Sequence, residues 1–109
     1  MTLYYGDIVV GDIAKAFCDD TTWSGVLKPA ITVADGPLQK QLLDFIAVSE
    51  DWNERVRRDE EADPDEFKRY GDLVTSESWT VKRDDRQVDR IATSPVFFRD
   101  GEVSWRLRD

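Results

Sequence analysis

Apolar and polar residues follow three different rhythms along this chain. From Leu3 to Val10 and from Ile13 to Phe17, β-branched and aromatic residues dominate, which predicts strands. Cys18-Asp19-Asp20-Thr21 predicts a turn. A strand then runs from Trp23 to Leu27 or Ile31, and Pro29 puts its end at a sheet edge or outside the ladder. After Asp35-Gly36-Pro37 the period lengthens. Asp35 or Gly36 suits a helix cap and Pro37 a first turn. Leu38, Leu42, Phe45, Ser49, Trp52 and Val56 recur at three- and four-residue steps, and Leu43 and Ile46 widen the stripe. That spacing predicts one long amphipathic helix ending near Arg58, with Trp52 in the core. Asp51 with Arg55 and Glu54 with Arg58 fall at i, i+4 on its polar face. Asp63-Pro64-Asp65-Glu66 has the composition of a capping box, so a short second helix is predicted from Pro64 to about Leu73.

The last third returns to alternation. Trp79 and Val81 alternate with Ser78, Thr80 and Lys82, Arg83 to Arg86 forms a turn, and Val88 to Ala92 returns in a register that the residues leave open. Asp100-Gly101 suits the tip of a two-residue hairpin turn. Counting outward from that tip pairs Arg99 with Glu102, Phe98 with Val103, Phe97 with Ser104 and Val96 with Trp105. Val96, Phe98, Val103, Trp105 and Leu107 would then face the core, leaving Pro95, Phe97, Arg99, Glu102, Ser104 and Arg106 on the other face. Thr22-Trp23, Ser78-Trp79 and Ser104-Trp105 each set a hydroxyl beside a Trp, so three strands can direct a Trp toward one common core.

The layout is β(2–3)–α–α–β(4). It predicts a single α+β domain over residues 1–109, in which a twisted antiparallel sheet of about five to seven strands carries one long and one short helix in two layers. The length suits one domain, and 40% hydrophobic residues with 11% aromatics supply a core.

Composition narrows the chemistry. With no His and one Cys, the chain cannot form a His-based catalytic triad, a His-containing zinc site or an internal disulfide. Cys18 precedes two carboxylates that disfavour its thiolate, so an inert or packing role is expected. Asp19-Asp20, Asp84-Asp85 and the acids from Asp59 to Asp65 lack the ligand spacing of a calcium loop and read as turns and caps. The six Gly form no phosphate-binding pattern, and no pair of carboxylates is nominated for hydrolysis. No catalytic, cofactor-binding or metal residue is therefore assigned, and no cofactor is expected.

Fifteen basic against twenty-three acidic residues give a net charge of −8. Phosphate backbones and anionic lipids bind through clustered Lys and Arg, so neither nucleic acid nor a membrane is an expected partner. The start of the chain has no basic region followed by a long apolar run, which together with a single Cys suggests the cytoplasm. The acidity reflects either habitat or a field that steers toward a basic partner. Phe97 on the polar face of its hairpin, flanked by Arg99, Glu102 and Arg106, has the composition of an interface. The expected function is a non-catalytic protein-interaction module, in one version an inhibitor or immunity-type protein for a basic partner. Two alternatives are a small-molecule or enzyme domain with a Trp-lined pocket between helix and sheet, and a subunit whose partner is itself.

Overall fold

The computed structural model describes residues 1–31 and 36–108. Strands β1 (Thr2–Tyr5), β2 (Ile8–Asp19) and β3 (Thr22–Pro29) form an antiparallel meander. Helix α1 (Pro37–Arg57) follows, then a 3-10 helix (Pro64–Tyr70) that runs into a single turn, α2 (Gly71–Val74). Strands β4 (Trp79–Lys82), β5 (Val88–Arg90), β6 (Val96–Phe97) and β7 (Glu102–Arg106) complete one antiparallel sheet in the order β5-β4-β1-β2-β3-β7-β6. The α+β class, the strand count and the helix order agree with the pattern of the sequence.

The inner face of the sheet carries Leu3, Val10, Ile13, Trp79, Val81, Val103 and Trp105, which pack with Leu42 and Phe45 of α1. Phe45 touches the rings of Tyr70, Trp79 and Phe97, so one helix residue ties the short helix and two strands to the same centre. The apolar stripe of α1 is buried at Leu42, Phe45 and Ser49, whereas Leu38 and Val56 at its ends are exposed. Gly36 caps α1 without a side-chain hydrogen bond, and Asp35 lies outside the described residues. Both i, i+4 ion pairs form, Arg55 with Asp51 at 3.2 Å and Arg58 with Glu54 at 3.1 Å. The capping box also forms: the Asp63 carboxylate accepts from the Asp65 N–H (2.9 Å), and the Glu66 carboxylate accepts from the Asp63 N–H (3.3 Å).

Two irregularities decide what each face of the sheet shows. Lys15 adopts a left-handed conformation (φ 56°) between the pairs Ala14–Val26 and Phe17–Ser24, which inserts one extra residue into β2. The bulge turns Phe17 outward. It closes over Gly25, where a Cβ would fall on the Ile13 side chain and 3.1 Å from the Ala14 carbonyl oxygen.

The second irregularity corrects the final hairpin. The Phe98 N–H donates to the Glu102 carbonyl (2.9 Å) and the Gly101 N–H to the Phe98 carbonyl (3.1 Å), with Gly101 at φ 91°. The connection is therefore a three-residue loop ending in a left-handed Gly, not a two-residue turn. Asp-Gly suits both loops. The difference shifts the pairing by one residue, so Phe97 opposes Val103 and Val96 opposes Ser104. Phe97 is consequently 2% exposed and Pro95 is also buried, while Val96 faces solvent. The inner and outer faces of β7 are as expected, but those of β6 are inverted.

The ends of the sheet are not left open. The two-residue strand β6 is gripped by α1: the Ser49 hydroxyl accepts from the Phe97 N–H (3.3 Å), and the Asn53 amide donates to the Phe97 carbonyl (3.1 Å). At the other end, Ile91 bridges to Leu107, the Ala92 N–H donates to the Arg106 carbonyl (2.9 Å), and the Arg108 N–H donates to the Arg90 carbonyl (2.8 Å). The sheet thus curls until the chain after β5 meets the chain after β7. Both devices remove free backbone edge, the usual site of strand addition.

Candidate interaction site

The outer face of β2, β3, β7 and β6 can be laid out in three cross-strand rows from the pairing register. Phe17, Ser24, Ser104 and Val96 form the middle row. Ala14, Val26 and Glu102 lie to one side, and Asp19, Thr22 and Arg106 to the other. Neighbouring strands lie about 4.8 Å apart, so the middle row spans roughly 14 Å from Phe17 to Val96. Its ends are apolar and its centre is two small hydroxyls, which makes a trough. Phe17 is 57% exposed, Val26 46% and Val96 39%. Nothing among the described residues covers them.

Two clefts open from this trough. One, of about 390 Å³, lies between Phe17, Val26, Asp100 and Glu102. The other, of about 540 Å³, is lined by Thr22, Thr93, Ser94, Ser104 and Arg106, with Val96 and Trp105. Ser94 and Val96 also line a third cleft, of about 380 Å³, between α1 and the 3-10 helix. The surface is therefore continuous from the outer sheet face, across β6, to the flank of α1.

The sequence-derived residues take distinct places. Phe97 is in the core, so the exposed aromatic expected there is corrected by the register of the hairpin. Arg99 and Glu102 do not pair with each other, because the three-residue loop separates them. Arg99 reaches Asp51 of α1 at 3.0 Å. Glu102 and Asp100 share the guanidinium of Arg57, at 3.1 and 3.2 Å, and that guanidinium lies 4.1 Å above the Phe98 ring. A hydrogen bond from the Glu102 backbone N–H, then the contact with Arg57, holds the Asp100 carboxyl below its ordinary pKa. Arg106 lies on the outer face, where it donates to the Thr22 hydroxyl at 3.3 Å. The register thus brings Glu102 and Arg106 onto one face, ties Arg99 to α1 and removes Phe97.

Phe17 is instead the exposed aromatic of this face, a place that its spacing in the chain does not point to. Strict alternation groups Ile13, Lys15 and Phe17 on one face. A Lys in an otherwise apolar row, with a Gly in the strand that follows, was the available sign of a bulge.

Cys18 is exposed, with its thiol 3.3 Å from the Asp20 carbonyl, so it is not a packing residue. The four Trp do not surround one cavity. Trp23 stacks on Trp105 with ring centroids 6.2 Å apart, and Trp79 sits in the core against Tyr5. Trp52 is only half-buried and lines the α1 cleft. None of the clefts described above is lined by more than one Trp. Among the described residues, no three Asp, Glu or Cys side chains converge as a metal site, and no helix is long and apolar enough to cross a membrane. Comparisons of the chain with protein-family models, with curated proteins and with solved structures found no match.

Proposed function

We propose that this chain is a small cytoplasmic protein-interaction module without catalytic chemistry, which binds a basic protein through the outer face of its sheet. An inhibitor or immunity-type role toward a basic toxin or nuclease is one form of that function. The observation that carries the reading is the middle row of the outer face, with Phe17 and Val96 exposed around a serine trough on a chain of net charge −8. An exposed aromatic on a rigid sheet is the kind of anchor on which binding energy concentrates, and the negative field speeds encounter with a cationic surface. The same field opposes nucleic acid.

The test is affinity capture from the native host, followed by titration of the captured protein against the wild type and Phe17→Asp. The expected partner is basic, its affinity falls at least about tenfold with the variant, and it weakens as salt is raised. An acidic partner, or one indifferent to Phe17→Asp, would overturn the reading. A self-associating subunit would use the same face, but two copies of charge −8 repel, and sedimentation separates the two cases. A small-molecule domain would instead use the largely apolar α1 cleft, where Ser49, Asn53 and Ser94 are the polar residues.

A further inference from the structure

We infer that the cleft between α1 and the 3-10 helix seats one apolar side chain of a basic partner segment, whose flanking Lys or Arg residues meet the acids that join the two helices. The inference rests on the proposed interaction function and names the chemistry of the partner.

The cleft is walled by Phe45, Trp52, Phe67, Val74, Pro95 and Val96. Its volume of about 380 Å³ is within the range of ligand pockets, ~300–1,000 Å³. Its shape is fixed before any partner arrives. The Arg55 guanidinium holds both oxygens of Glu66, at 2.6 and 2.7 Å, and the Trp52 indole N–H donates to the Asp63 carbonyl at 3.2 Å. These contacts pin the 3-10 helix to α1. The hold of Ser49 and Asn53 on Phe97 pins the opposite wall. A preformed cleft saves the ordering cost of binding.

Charge selects the occupant. The arginines at the end of α1 are all engaged: Arg55 by Asp51 and Glu66, Arg57 by Asp100 and Glu102, and Arg58 by Glu54. Asp59, Glu60 and Glu61 follow directly, are exposed, and make no ion pair among the described residues. The connection that leads to Pro64 in the cleft wall is therefore negative. An apolar side chain gains from burial in the cleft, and cations beside it gain from that field. An acidic or neutral apolar segment gains only the first, and a second copy of the chain brings charge of the wrong sign.

The probe is the blocked peptide Lys-Lys-Phe-Lys-Lys, titrated into the isotopically labelled full chain and followed at the Trp52 indole N–H, with the peak assigned by Trp52→Phe. Two comparison peptides replace the central Phe by Ser or every Lys by Glu. The expected result is a saturable shift with the Lys-Phe peptide, at least about tenfold weaker with either comparison peptide. Ser94→Phe fills the cleft from its rim without removing a core side chain, and should abolish the shift. Asp59→Lys with Glu60→Lys and Glu61→Lys should remove its salt dependence. Equal shifts from the Phe and Ser peptides, or an unchanged shift in Ser94→Phe, would overturn the inference. A captured basic partner that loses affinity with Phe17→Asp but not with Ser94→Phe leaves the proposed function standing and removes the cleft from it. Failure to bind any basic protein removes both.

Discussion

The two sides of β2 and β6 are built from residues within four positions of each other and have opposite fates. Inward, Ile13 and Phe97 are nearly inaccessible; outward, Phe17 and Val96 stand in solvent. Composition does not separate them, since each side receives an aromatic and a β-branched residue. Register does. One extra residue at Lys15 and one extra loop residue before Glu102 determine which aromatic becomes core and which becomes surface. The outer face is thus defined by the irregularities in the sheet more than by its regular alternation.

The sharpest way to break this contrast is to truncate one aromatic from each side. Phe97→Ala is expected to cost about 3–5 kcal/mol, as a large-to-small change in a packed core, whereas Phe17→Ser should stay within about 0.5 kcal/mol. Denaturant midpoints measure both, and comparable losses would mean that the faces are assigned wrongly. A subtler change targets the bulge. Gly25→Ala places a methyl group against Ile13 and the Ala14 carbonyl, and overpacking of this kind costs about 1–3 kcal/mol. It should also disturb the amide resonances of residues 14–17 more than those of β4 or β5. The smallest expected effect concerns the hairpin tip. Since the Asp100 carboxyl titrates below its ordinary value, its contribution is present above the usual Asp range, near pH ~3.9, and is lost as the pH falls through the lowered value. Thermal melts across that window should show a decline that is shallower in Asp100→Asn.

Some of this was legible in the sequence for a physical reason. The capping box of Asp63 to Glu66 and the ion pairs of α1 depend on residues close together in the chain, and each forms as its spacing predicts. The class and the element order follow from periodicity over long stretches, which averages out local error. The outer face depends instead on single-residue offsets. Asp-Gly is equally at home at the tip of a two-residue turn and at the end of a three-residue loop, and the burial of Phe97 against Phe45, Trp79 and Val103 goes with the second. The half-burial of Trp52 was hidden similarly: its place in the α1 stripe is regular, but the 3-10 helix covers only one side of it, with the Phe67 ring 5.5 Å away.

The pairing of β3 with β7, Trp23 against Trp105, has a consequence for how this molecule is handled. The middle row takes Phe17 and Ser24 from the first third of the chain and Ser104 and Val96 from the last. A protease cut in the acidic connection after α1 would therefore give two fragments, neither holding a complete row. A partner that grips this row would engage the two parts only while β3 and β7 stay paired, and neither fragment alone.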